Sequence, residues 1–105
     1  MKSRAATKQD VIQRIIEQRE QLLSYGVTNI GLFGSFERGE QTASSDIDLL
    51  VEFTPEKHTF DIFMDVTFFL EDILGRRVEV VTLEGLSPHI GPHILKEVER
   101  VPVAA

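Results

Sequence analysis

Two carboxylates one residue apart, Asp46 and Asp48, lead straight into the apolar run Leu49-Leu50-Val51. Like charges on one strand face repel each other and resist burial, so this arrangement calls for a cation between them. A divalent metal, which takes oxygen ligands, is the simplest choice. Strand side chains alternate, which puts both acids on one face, about 6.5–7 Å apart along the chain. At that spacing they can share one Mg2+, or hold two metals about 3.5–4 Å apart with a third acid. Glu79, polar between Val78 and Val80-Val81, is the candidate for that third acid.

Upstream, Gly34-Ser35 precedes Asp46 by ten intervening residues. A glycine lets the backbone approach a phosphate closely, and a serine at a helical start offers a hydroxyl and a backbone N–H. Arg38 has two readings: a cation that neutralises leaving-group charge, or a surface ion pair with Glu37 or Glu40. Gly39 permits the turn that follows. The set suits attack on a nucleotide phosphate with pyrophosphate leaving.

The elements that must position these residues are legible from periodicity. Thr7 with Asp10 three residues on caps a helix whose face carries Val11, Ile12, Ile15, Ile16, Leu22 and Leu23, with Gly26 at the position just past its end. Arg19 projects from that face, either as a stem lying on apolar surface or as a cation aimed at a partner. Strands are expected over 28–33, 46–53 and 78–82, with a helical turn at 35–39, a polar loop at 40–45 and a loop containing Pro55. A helix over 60–74, closed by Gly75, presents Ile62, Phe63, Val66, Phe69, Leu70, Ile73 and Leu74 as its core arc. Phe60, Met64 and Phe68 form a different arc, which a core does not explain. They are a candidate contact surface for a partner or a second copy. A last helix starts at Ser87-Pro88 or near Pro92, buries Ile94, Leu95 and Val98, and stops at Pro102.

The order α-β-(α)-β-α-β-α predicts an α/β (α+β) fold, a three-stranded mixed sheet flanked by about four helices. The 60–74 helix allows a parallel crossover between the second and third strands. The first strand then runs antiparallel, and Gly34-Ser35, Asp46 and Glu79 arrive at one sheet edge.

Bulk composition narrows the class further. The 105 residues make one domain, expected over 7–101 with a flexible N-terminus over 1–6 and a tail over 102–105. The absence of cysteine excludes a disulfide framework, a thiolate metal site and a cysteine nucleophile. His58, His89 and His93 show no metal spacing and read as surface or packing residues. No apolar run approaches the ~20 residues of a membrane helix, and the N-terminus has no secretory h-region, so the cytoplasm is the default expectation. A net charge of −6 argues against a broad grip on nucleic acid.

Gly-Ser, ten residues, then Asp-x-Asp resembles the signature of the DNA polymerase β-type nucleotidyltransferase superfamily. The fuller pattern is similar to the minimal nucleotidyltransferase (MNT) proteins: Gly-Ser-Phe-x-Arg-Gly, Ser-Asp-Ile-Asp-Leu-Leu-Val, Phe60-Asp61, Leu74-Gly75-Arg76-Arg77-Val78-Glu79-Val80-Val81-Thr82 and Ile94-Leu95-Lys96-Glu97. It spans about Thr7 to Val101. The resemblance implies that Gly34 and Ser35 are the phosphate-binding turn and that Asp46 and Asp48 are metal-binding aspartates. It makes Glu79 the third acid, commonly Asp in the wider superfamily, and Arg38 a basic position near phosphate. It implies two Mg2+ ions and ATP as substrate. Members of this kind resemble the antitoxin half of HEPN/MNT toxin–antitoxin pairs, which implies transfer of AMP onto a tyrosine of a HEPN RNase toxin. The alternatives are a binding module that neutralises its partner sterically, and nucleotidyl transfer to a small molecule.

Overall fold

A computed structural model describes residues 3–103. Met1, Lys2 and positions 104–105, the outer parts of the expected tails, lie outside the described residues. Helix α1 (Lys8–Glu17) is followed by α2 (Arg19–Ser24), β1 (Val27–Phe33), a single helical turn α3 (Ser35–Arg38) and β2 (Ile47–Phe53). Then come a 3-10 turn at Pro55–Lys57, α4 (Phe60–Leu74), β3 (Val78–Val81), a 3-10 turn at Leu83–Gly85, α5 (Gly91–Glu97) and β4 (Glu99–Val101). Among the described residues, no helix is long and apolar enough to cross a membrane.

The sheet has the order β3-β2-β1-β4. β1 and β2 are antiparallel, and β2 and β3 are parallel across the α4 crossover, as the sequence pattern predicts. Alternation divides the side chains between two faces. Ile47, Leu49 and Val51 of β2 are fully buried on one face, level with Ile30 and Leu32 of β1. They meet Val66, Leu70, Ile73 and Leu74 of α4, together with Val11, Ile15 and Leu22 from the N-terminal helices. The other face carries Phe33, Asp48, Leu50, Glu79 and Val81 in register. α5 and the residues around it lie over that second face: a Cβ added to Gly31 would meet Val98 Cγ2 at 2.2 Å.

Local chemistry sets most boundaries. Thr7 Oγ1 accepts the Asp10 N–H at 3.1 Å, and Asp10 Oδ2 reaches back to the Ala6 N–H at 3.1 Å. The packing extends upstream to Ala5, which is fully buried and donates its N–H to the Leu74 carbonyl. α4 runs over the expected residues, from the Thr59 cap to a left-handed Gly75. The 3-10 turn at Pro55 keeps that proline out of the sheet.

Two expectations need correction. The N-terminal helix is not continuous but breaks at Gln18, where no glycine or proline forces it. Tertiary packing does: α1 lies against α4 and β4, whereas α2 lies against β1, and Leu22 is buried while Leu23 is exposed. The C-terminal helix ends at Glu97 rather than near Pro102, and Glu99–Val101 adds a fourth strand instead of a helical turn. Its partner is the otherwise open edge of β1, where Ile30 pairs with Val101 and Leu32 with Glu99. An unpaired strand edge beside an apolar Val101 is a stronger demand than helix propensity.

The polar loop before β2 is tied down by Arg76. Its guanidinium bonds the carbonyls of Ala5 at 2.5 Å and of Ala43 and Ser45 at 3.1 Å each, and lies 5.0 Å from the centre of the fully buried Phe36 ring. Lysine cannot span these acceptors with one ammonium group, nor stack flat on a ring. Arg76→Lys should therefore lower the unfolding free energy by about 1–3 kcal/mol, read by urea denaturation. A change below about 0.5 kcal/mol, the size of an ordinary surface substitution, would show that this clamp does not hold the loop.

Candidate active site

The second face of the sheet concentrates the residues that could do chemistry. Asp48, the second residue of β2, sits opposite Phe33 of β1 on one side and Glu79 of β3 on the other. Asp46 precedes β2 by one residue and is exposed. The chain leaves Phe33 through Gly34, whose φ of +78° is a conformation that side chains other than glycine rarely adopt. A Cβ there would also fall 2.1 Å from Asp48 Oδ2. Glycine is thus required twice, and its absent side chain lets the turn lie directly against the acid. Ser35 then opens α3, and Arg38 closes it.

A cleft of about 360 Å3 opens beside these residues. Asp48 and Glu79 line its polar side, and Phe33, Leu86, Ile90 and Ile94 supply apolar wall. Leu86 and Ile90 were not candidates from sequence, and Ile94 was expected only as core. Their signal is an apolar character that the short α5 cannot bury. Phe60, Met64 and Phe68 lie on α4 and are not part of this cleft. Phe60 and Phe68 are 76% and 60% exposed, while Met64 is half-buried. Of the histidines, His58 stacks on Phe53 with ring centres 5.5 Å apart, a packing role.

Charge is unevenly compensated. Burial, followed by the neighbouring Glu79 carboxylate and then Asp46, pushes the Asp48 carboxyl up from 3.8 to about 6. Arg38 pulls the other way with the smallest effect. Its Nε donates to Glu40 Oε1 at 2.7 Å, and its Nη1 donates to Glu97 Oε1. Glu97 Oε2 also accepts the Gly34 N–H at 2.9 Å. That N–H, followed by Arg38, holds the Glu97 carboxyl below its usual range. The ion pair with Glu40 was one of the two readings of Arg38 from sequence. Glu97 was not foreseen at the site, and its contacts lie 63 and 59 residues away along the chain.

The donor chemistry fits a hard divalent cation: Asp46, Asp48 and Glu79 offer only carboxylate oxygens, with Asp48 pushed toward protonation by burial and then by its neighbours. As the side chains stand, no three His, Cys, Asp or Glu among the described residues are gathered tightly enough to ligate one ion. Charge and position favour the cation, and side-chain rotation would have to complete its shell.

The raised Asp48 carboxyl has a consequence for the ligand-free fold. The unfolded chain releases this proton near pH 3.8 and the folded chain near 6, so stability falls as pH rises through that window and stays lower above it. Asp48→Asn removes the conflict. With metal chelated, the variant should melt higher than the parent at pH 7.5, by clearly more than at pH 4. Equal melting differences at both pH values would show that the fold does not disfavour the Asp48 carboxylate.

With this geometry in place, relatives are informative. The chain is 36% identical over 91 residues to "Putative protein adenylyltransferase MJ1379" of Methanocaldococcus jannaschii, covering 84% of this chain and 88% of that protein. It is 40% identical over 74 residues to "Protein adenylyltransferase MntA" of Thermococcus cleftensis, covering 70% and 74% respectively. A solved "putative minimal nucleotidyltransferase" superposes with a TM-score of 0.68 at 34% identity, over 84% of this chain and 93% of that one. The match to the nucleotidyltransferase domain runs over residues 12–101, which takes in all four strands and every residue of the cleft, and the chain belongs to that family.

Proposed function

We propose that this nucleotidyltransferase transfers AMP from ATP onto a tyrosine of a cognate HEPN-family RNase toxin and so acts as its antitoxin. The observation that carries the reading is the juxtaposition of Gly34 with Asp48 and of Asp48 with Glu79 at one end of the cleft. A triphosphate needs backbone N–H and cationic donors on one side and carboxylates that can hold metal on the other, and the register's placing of the Gly34 turn, Asp48 and Glu79 together supports this reading. The names of the adenylyltransferase relatives support AMP as the group moved.

In this reading Gly34 and Ser35 receive the phosphates, with Arg38 adding charge on the leaving side. Asp46, Asp48 and Glu79 are the residues that would hold Mg2+, with two ions in the fullest form. Bound there, Mg2+ would neutralise triphosphate charge and acidify the acceptor hydroxyl. The tyrosine hydroxyl gives up its proton to solvent, its oxygen bonds to the α-phosphorus, the bond from that phosphorus to the bridging oxygen breaks, and pyrophosphate leaves with the electron pair. Phe33, Ile90 and Ile94 exclude water from one wall of the cleft. The exposed Phe60 and Phe68, with Met64 between them, form the surface assigned to the toxin.

A second reading is favoured by one observation, that the acids as placed do not form a closed coordination shell. A steric neutraliser would need no such shell. The two readings separate when purified protein, labelled ATP, Mg2+ and the cognate toxin are mixed. Adenylyl transfer predicts label on the toxin, lost by at least about 100-fold in the Asp46→Asn/Asp48→Asn double variant, with the complex still forming. Toxin silenced without label, and silenced equally by the double variant, would reject the enzymatic reading. A charged substitution at Phe60 or Phe68 should weaken toxin capture in a pull-down, and unchanged capture would remove the α4 surface from the account.

A further inference from the structure

Glu97 closes α5 and reaches two donors of the turn after β1 at once. Its Oε2 accepts the Gly34 N–H at 2.9 Å, and its Oε1 accepts from Arg38 Nη1. These are the same two donors that the functional reading gives to a nucleotide phosphate. One carboxylate presents paired oxygens to a backbone N–H and a guanidinium, much as a phosphate edge would. The anion and the phosphate cannot both use them.

Other features show that this is not an incidental surface pair. The Gly34 N–H is half-buried in a turn that tolerates only glycine, so that donor is fixed in place. Arg38 is already held by Glu40 through Nε, leaving Nη1 to the incoming anion. Glu97 is followed directly by Val98, which packs over Gly31, and then by β4. Ile90 and Ile94, on the same helical segment, form part of the cleft wall.

We propose that Glu97 is an internal anion that competes with the nucleotide's phosphates for the Gly34 N–H and Arg38. The proposal rests on the reading of Gly34 and Arg38 as phosphate donors. Its effect is a reduced apparent affinity, because only the fraction of molecules with Glu97 displaced can bind.

Calorimetric titration with two probes tests this: inorganic tripolyphosphate, and a non-hydrolysable ATP analogue with Mg2+. Glu97→Gln keeps an amide oxygen for the Gly34 N–H but loses the ion pair with Arg38. It should bind tripolyphosphate about three- to tenfold tighter than the parent. Glu40→Gln, which touches Arg38 but not Gly34, should change affinity less than twofold. Unchanged or weaker tripolyphosphate binding by Glu97→Gln overturns the proposal, as does an equal gain from Glu40→Gln or the absence of binding in every form. Tighter tripolyphosphate binding with no binding of the ATP analogue would support the internal anion while rejecting the nucleotide reading. Circular dichroism of each variant separates these results from misfolding.

Discussion

The structure turns on the pairing of β2 with a strand on each side. The antiparallel partner brings Phe33, and with it Gly34, level with Asp48, while the parallel partner brings Glu79 level with the same residue. A shift of one residue in either ladder would turn Asp48 or Glu79 into the apolar layer beneath α4, where unpaired charge is costly. The buried row of Ile47, Leu49 and Val51 on the opposite face therefore fixes the acids as firmly as any contact they make themselves. Core packing and site geometry are two readings of one register.

The remaining elements hold that register from the ends. Arg76 gathers the carbonyls of the loop that delivers Asp46, and Phe36 fills the space beneath its guanidinium. Glu71 accepts the Val78 N–H at 3.1 Å, joining α4 to the start of β3. β4 covers the open edge of β1 and so keeps the strand that carries Gly34 paired on both sides. The site is consequently the least relaxed part of a well-packed domain: its like charges are held together by a scaffold whose stability lies elsewhere. Strain of this kind is expected where a ligand completes the electrostatics.

Much of this was legible in the residues, and the exceptions share a cause. The bounds of α4 follow from a strong helical period ended by Gly75, and the first three strands follow from apolar runs bounded by turns. The meeting of Gly34-Ser35 with the acids follows from topology once the crossover helix is recognised. The break at Gln18, the strand at Glu99–Val101 and the reach of Glu97 do not follow, because each depends on partners distant in sequence. Helix propensity gives no warning that an open edge of β1 will claim the C-terminal residues. Nor does an acid at the end of a short helix announce that it will meet a glycine 63 positions away.

The central claim is that Asp46, Asp48 and Glu79 form a cation site facing the Gly34 turn. Crystals grown with Mn2+ and a non-hydrolysable ATP analogue, with data collected at the manganese edge, test it most directly. The account predicts anomalous density bound by Asp48 and Glu79 with Asp46, and phosphate oxygens against the Gly34 N–H. Manganese bound elsewhere, or a triphosphate seated away from Gly34, would contradict it.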